Sequence, residues 1–406
     1  MEVTTSELFP VLTEISHTLD NLDRWSAPVK IDAPLTFIGT RAHILHEPKG
    51  VCLIIAPWNY PFNLAIGPLV SCIAAGNTAL VKPSELTPNT SALLSKLVGE
   101  VFEKDVVTVV EGDGDVASSL LQLPFDHIFF TGSPAVGKIV MKAAAERLAS
   151  VTLELGGKSP AIIDSTADLK DAAKRIAFGK FVNNGQTCIA PDYILIDNSI
   201  KEKFTTLLKK SVAELYARSE DYGRIVNTRH FNRLRNLLDD ATKKGAVTEL
   251  KGDLDESEKY FSPTILSNVN NEMLLMEEEI FGPILPIVSM NVKSEAVNFV
   301  NSKPKPLALY IFSNDKSFRN DVLAQTSAGG VCVNDCLLQF AHSNLPFGGV
   351  NNSGIGKAHG HAGFLAFTNE KPVVKQKRGL SNAYLFYPPY SDLKRKILRF
   401  IMRWFV

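Results

Sequence analysis

The sequence predicts an α/β protein: a doubly wound parallel-sheet domain, a second α/β domain after it, and a small bridging element. Three observations carry this. Val51-Cys-Leu-Ile-Ile-Ala56 is a continuous apolar run, as in a strand buried on both faces. Such runs alternate with helical patterns along most of the chain, which calls for parallel strands joined by crossovers. The segments after the strands of the first half are rich in glycine, proline and polar residues. In a doubly wound sheet, ligands sit at those carboxyl ends.

Taken in order, Leu8, Leu12, Ile15, Leu19 and Leu22 recur at spacings of three and four and predict an amphipathic helix over 5–26. Residues 27–50, with Pro28, Pro34 and Pro48, suit an extended hairpin packed across other elements. The strand from Val51 ends in Pro57-Trp-Asn-Tyr-Pro61, too proline-rich to continue as strand or helix. Next come a helix over Pro68–Ala75, the strand Thr78–Val81 and the loop Lys82-Pro-Ser-Glu85. A helix near 89–103, the strand Val106–Val110 and the glycine loop Glu111–Gly114 follow. Another helix leads to the strand His127–Phe130 and the turn Thr131-Gly-Ser-Pro-Ala-Val-Gly137-Lys. After Pro160 the alternation resumes: helix 168–180, strand Tyr193–Ile196, helices 199–216 and 229–244, strands near 263–267 and 284–288, helix 293–302 and strand Leu307–Phe312. The loop Leu345-Pro-Phe-Gly-Gly-Val-Asn-Asn-Ser-Gly354 returns the chain to the first domain. The expected boundaries are 1–29 (N-terminal helix), 30–47 (bridging hairpin), 48–155 (first domain), 156–352 (second domain), 353–380 (return and bridging strand) and 381–406 (tail).

Bulk properties narrow the function. The 406 residues are 45% hydrophobic and 21% charged, ordinary for a water-soluble globular chain. With 43 basic and 43 acidic residues the formal charge is zero, so a nucleic-acid surface is not expected. Five cysteines without a Cys-x-x-Cys pair argue against a disulfide framework and for a reducing, cytoplasmic compartment. The eight histidines show no His-Glu-x-x-His pattern, and no metal site is expected. Met1-Glu-Val-Thr-Thr-Ser-Glu lacks the basic and apolar regions of a signal peptide. The longest apolar runs fall short of the roughly 20 residues of a membrane span.

Two polar spots stand out in apolar settings. In Phe181-Val-Asn-Asn-Gly-Gln-Thr-Cys188-Ile-Ala-Pro191, Gly185 and the Asn-Asn pair end a helix, so Cys188 stands just past its end. In Val151-Thr-Leu-Glu154-Leu-Gly-Gly-Lys158, Glu154 has leucine on both sides, and burying a carboxylate there is costly unless something uses it. The pair reads as a thiol nucleophile and a glutamate base. The blander readings are a buried small hydrophobe for Cys188 and a carboxylate paired with Lys158 for Glu154. No histidine lies in these motifs, so a Cys–His arrangement has no local support.

Pro57-Trp-Asn-Tyr-Pro61, Lys82-Pro-Ser-Glu85, Phe130-Thr-Gly-Ser133, Leu153-Glu-Leu-Gly-Gly-Lys158, Gly185-Gln-Thr-Cys188, Glu279-Ile-Phe-Gly-Pro283 and Pro346-Phe-Gly-Gly349 occur in this order. Together they resemble the aldehyde dehydrogenase superfamily, from about Leu8 to Asn369. Gly185-Gln-Thr-Cys-Ile-Ala-Pro-Asp-Tyr-Ile-Leu195 and Asp221-Tyr-Gly-Arg-Ile225 resemble its class 3 branch, which includes fatty aldehyde dehydrogenases.

The resemblance implies a cofactor domain, a catalytic domain and an oligomerisation element. It implies NAD(P)-dependent oxidation of a medium- or long-chain aliphatic or an aromatic aldehyde to the acid. Cys188 is the nucleophile, Glu154 the general base, and Asn59 the oxyanion donor beside the Cys188 N–H. Lys82 and Glu85 match positions that hold the adenosine ribose. Glu85 favours NAD⁺ and Lys82 pulls toward NADP⁺, so NAD⁺ is expected first. Gly132, Ser133 and Gly137 open a helix suited to a pyrophosphate. Trp58 and Leu155 match the cofactor cleft, and Glu279 and Phe281 the nicotinamide ribose and ring. Tyr60 and Phe340 are aldehyde-pocket candidates by position. An acylating enzyme using coenzyme A, or a homologue without activity, are the alternatives; the Glu154 base argues against the first.

Relatives of this branch carry a longer helical N-terminal segment, and Asn351 stands where they often have glycine. The resemblance also implies a homodimer joined near 30–47 and 366–378. In the tail, Leu393, Ile397, Ile401 and Trp404 share a helical face, widened by Leu398, Met402 and Phe405, among Lys394, Arg395, Arg399 and Arg403. It reads as a helix docked on protein or as a peripheral membrane contact through 392–406.

Overall fold

The structure, a computed structural model, describes residues 1–34, 37, 39–379 and 381–404. Among the described residues it is mixed α/β with two largely parallel sheets, a small three-stranded antiparallel one and an antiparallel pair of short strands, Leu254–Asp255 and Tyr260–Phe261. The first sheet runs Gly354–Ile355, Ser150–Leu155, His127–Gly132, Val51–Ile55, Thr78–Lys82, Val107–Val109. All its pairings are parallel except Gly354–Ile355. Cys52, Leu53 and Ile54 have no exposed surface, which is why this strand reads as an unbroken apolar run. The loops 57–61, 82–85, 111–114 and 131–137 all leave its carboxyl edge.

The second sheet has seven strands: Val247–Leu250, Thr264–Ser267, Ile284–Met290, Tyr193–Asp197, Pro160–Ile163, Ala308–Phe312 and Gly330–Val333. Only the first of these is antiparallel to its neighbour. Helices Leu169–Phe181 and Lys201–Leu215 pack together, and the former gives Ile176, Ala177 and Phe181 to the core. The third sheet joins Val29–Ile31, Thr40–Pro48 and Thr368–Gln376.

The chain departs from the sequence reading in a few places. The helix expected over 68–75 begins at Asn63, with Pro68 inside it. Its start is set from far away: the Glu7 carboxylate accepts the Phe62 and Asn63 N–H groups at 2.7 and 3.1 Å. Strands Pro160–Ile163 and Gly330–Val333 and helices Lys316–Gln325 and Gly360–Ala366 are additional. Pro160 is tolerated because it is the first residue of its strand. Asn351 takes φ +56°, the left-handed region asparagine accepts, so the loop keeps a glycine-like turn.

Candidate active site

Cys188 is placed by a helix that ends abruptly. Asn183, Asn184 and Gly185 all adopt positive φ (51°, 54° and 71°), which swings the chain out of the helical path. Gly185 is required here: a side chain would run into the carbonyl of Gly282. Gln186, 3% exposed, bonds the carbonyl of Arg224 and the N–H of Val226, each at 2.9 Å. Cys188 is left half-buried at the loop tip.

The Pro57–Pro61 loop is tied to this tip. Asn59 Nδ2 donates to the Gln186 carbonyl at 3.0 Å, and Asn183 Nδ2 donates to the Asn59 carbonyl at 2.8 Å. The Tyr60 hydroxyl bonds Thr187 Oγ1 at 2.7 Å. The amide of Asn59 is therefore fixed by one of its protons, and the residue lines the same cavity as Cys188.

Glu154 reaches the cavity from the end of Ser150–Leu155. It is 6% exposed, and neither carboxylate oxygen has a hydrogen-bond partner among the described residues. An orphaned buried carboxylate needs a functional reason. Burial holds its pKa well above the ordinary carboxylate range, opposed by the ammonium of Lys357. The alternative pairing with Lys158 is overturned. Lys158 is buried against Asp192 and donates to the carbonyls of Leu275 and Glu278 at 2.7 and 3.0 Å.

The cavity has a volume of about 540 Å³ and is mostly apolar, within the size range of small-molecule sites. Cys188, Glu154, Asn59, Trp58, Gly132, Ser133, Leu155, Glu279 and Phe281 all lie on its wall. Trp58 meets Phe281 edge-on at 5.3 Å between ring centroids. The Glu279 carboxyl is raised to about 8, first by burial and then by Asp192, against an N–H from Gly157. The Cys188 thiol is pushed up to about 12 by burial, with Glu279 and Glu154 adding to it. Ser133 caps the helix Pro134–Arg147.

Five expected site residues are not on this wall. Lys82 pairs with Glu85 at 3.0 Å, at the end of the strand Thr78–Lys82. Gly137 packs the helix on the sheet: a Cβ there would stand 2.7 Å from Leu155 Cδ2. Its absent side chain serves helix–strand contact. Tyr60 lies behind the Cys188 loop, bonded to Thr187. Phe340 packs on Phe347 and His359, at 5.0 and 4.7 Å, and it is these two rings that reach the cavity.

Sequence reasoning passed over His230, Arg233, Phe347 and His359, which also line the cavity, and Lys357, which faces Glu154. His230 lies 5.1 Å from the Trp58 ring, and Arg233 bonds the Glu278 carboxylate and Glu279 carbonyl. Phe347 stands inside the motif Pro346-Phe-Gly-Gly349 and could have been singled out there; His230, Arg233, His359 and Lys357 sit in no motif with a recognisable spacing. Among the described residues, no cluster of His, Cys, Asp and Glu could hold a metal.

Residues 8–373 match the family model for the aldehyde dehydrogenase family. The chain is 45% identical to aldehyde dehydrogenase family 3 member A2 of Mus musculus, covering 98% of this chain and 82% of that protein. It is also 45% identical to the Mus musculus aldehyde dehydrogenase, dimeric NADP-preferring, over 94% of this chain and 84% of the relative. Among solved structures, Staphylococcus aureus AldH in a substrate-bound state superposes with a TM-score of 0.94 at 45% identity. That match covers 99% of this chain and 88% of the other.

Proposed function

The chain belongs to the aldehyde dehydrogenase family and is an NAD(P)-dependent aldehyde oxidoreductase, and from that premise we propose that it takes medium- or long-chain aliphatic or aromatic aldehydes to acids through a Cys188 thioester. One observation carries this reading: a half-buried thiol and a buried, unpartnered carboxylate face one cavity.

Cys188, held as the thiol by burial, gives its proton to the Glu154 carboxylate, which passes it to solvent, and the sulfur adds to the aldehyde carbon, forming a C–S bond and moving the carbonyl electron pair onto oxygen. Asn59 Nδ2 and the Cys188 N–H stabilise that alkoxide. Bound NAD(P)⁺ supplies the acceptor for the hydride that leaves as the alkoxide collapses. Glu154 then takes a proton from water, whose oxygen attacks the thioester; the C–S bond breaks and the thiolate returns.

The residues on the cavity wall fit the nicotinamide and pyrophosphate end of a dinucleotide, and its adenosine end would lie beyond that wall. Glu279, Phe281 and Trp58 would hold the nicotinamide end, the turn at Gly132 and Ser133 the pyrophosphate, and Lys82 with Glu85 the adenosine ribose. In this reading 48–155 is the cofactor domain and 156–352 the catalytic one. The outer strand Thr368–Gln376, with Val374 exposed, would meet a second copy in a homodimer. The tail helix Asp392–Trp404 leaves Leu393, Ile397 and Met402 exposed among basic residues, which suits an anionic membrane surface; Phe405 and Val406 lie outside the described residues. Among those described, no helix is long and apolar enough to cross a membrane.

The test is NADH or NADPH formation with a panel of aldehydes of increasing chain length, run with each cofactor. Cofactor binding without turnover of any aldehyde would refute the reading. A product of acyl-coenzyme A, with turnover dependent on coenzyme A, would replace hydrolysis.

A further inference from the structure

The N-terminal segment touches the catalytic loops through side chains the reaction does not use. The Glu2 carboxylate, half-buried, accepts the N–H of Asn183 at 2.6 Å. That N–H belongs to the first of the three residues with positive φ, just past the end of the helix Leu169–Phe181. The side chain of the same Asn183 donates to the Asn59 carbonyl and, at 3.3 Å, to the Gln186 carbonyl that fixes the Asn59 amide. On the other side of Asn59, Glu7 accepts the N–H groups of Phe62 and Asn63, and Asn63 Nδ2 donates to the Ser6 carbonyl at 3.2 Å.

We propose that Glu2 and Glu7 are positioning residues that hold the oxyanion donor Asn59 from both sides: Glu2 through Asn183, Glu7 through the start of the helix Asn63–Ala74. The proposal rests on the reading of Asn59 as that donor. Two carboxylates about one turn apart on the N-terminal segment and on opposite flanks of one loop set the direction of the Asn59 amide. One Nδ2 proton is held by Gln186, and the other is left for the alkoxide. The Phe62 and Asn63 N–H groups stand at a helix start and have no intrahelical acceptor, so Glu7 also satisfies donors that would otherwise go unpaired. Charge-assisted bonds of this kind are stronger than neutral ones.

The experiment compares Glu2→Ala, Glu2→Gln, Glu7→Ala, Asn59→Ala and the double variants Glu2→Ala/Asn59→Ala and Glu7→Ala/Asn59→Ala in the full chain; Glu7→Ala is expected to follow Glu2→Ala in each readout, and a wild-type burst in Glu7→Ala would remove Glu7 from the clamp. The readouts are the pre-steady-state rate of NADH formation with an aldehyde that the wild type turns over, the NAD⁺ Kd, and the melting temperature. Glu2→Ala is expected to slow the burst between about tenfold and about 10²-fold, as for small misplacements of a catalytic group, with the Kd unchanged. Glu2→Gln, which keeps an acceptor, restores most of the rate. In the Asn59→Ala background, Glu2→Ala has no further effect, because its influence passes through Asn59. A slow Asn59→Ala with an unaffected Glu2→Ala, or additive losses in the double variant, would overturn the clamp and leave the donor standing. An Asn59→Ala with a normal burst would remove the donor and the clamp together.

Discussion

The Glu279 carboxyl lies directly over the backbone of Gly156, so close that a Cβ on Gly156 would overlap it. The N–H of Gly157 bonds the same carboxyl. Two consecutive glycines after the strand that carries Glu154 therefore form the seat of an acid from the loop that precedes the strand Ile284–Met290. Gly156→Ala should push Glu279 out of that seat. If Glu279 holds the nicotinamide ribose, KM for NAD⁺ rises on the order of tenfold, about 1.4 kcal/mol of binding, while the melting temperature changes little. Steady-state kinetics at saturating aldehyde check this, and an unchanged KM would take Glu279 out of the cofactor site.

Glu154 should govern the hydrolytic half of the reaction. Burial raises its pKa and Lys357 opposes the rise. Because only the carboxylate can accept a proton from water, deacylation climbs as pH passes the Glu154 pKa and levels off above it. Lys357→Met removes the opposing cation and should move that midpoint to higher pH, as read from single-turnover deacylation. Glu154→Gln should slow deacylation by about 10²–10⁴ and let acyl-enzyme accumulate, visible by intact-protein mass spectrometry.

The thiol carries a different signature. With Cys188 pushed up to about 12, its alkylation by iodoacetamide should accelerate steadily through the neutral and mildly alkaline range. Burial is the larger cause and the charge on Glu279 the next. Glu279 itself titrates near about 8, so below that pH it has little charge to remove. Glu279→Gln should leave alkylation unchanged at low pH and speed it increasingly above about 8. Cys188→Ala should abolish NADH formation at any pH.

Lys158 and Asp192 hold the site together. Their side chains are 6% and 4% exposed, and Asp192 Oδ1 also accepts the N–H of Ile280 at 3.0 Å. Lys158→Met leaves that carboxylate buried without its cation, and equilibrium unfolding in urea should show a loss of about 3–5 kcal/mol. A change below about 1 kcal/mol would mean the pair is solvated.

Removal of 392–406 should leave aldehyde oxidation in solution intact and abolish co-sedimentation with vesicles rich in anionic lipid. Binding by the full chain should weaken with salt, as expected for basic residues at an anionic surface. Equal sedimentation of the two proteins would point to a helix docked on protein.

The sequence by itself determined the α/β alternation, the strand Val51–Ile55, the loops at the carboxyl edge and the separation of Cys188 from four other cysteines. These are local patterns: apolar runs, helix-ending asparagines and glycines, and a carboxylate among leucines. The tertiary structure alone decided that Lys158 pairs with Asp192, so that Glu154 stands without a cation bonded to it. It also decided that Gly137 serves packing against Leu155, that Phe347 and His359 rather than Phe340 reach the cavity, and that Glu7 begins a helix over fifty residues away. Each of these is a partner choice between segments distant in the chain. A residue's spacing to its sequence neighbours carries no information about which far element will supply its charge, its void or its cap.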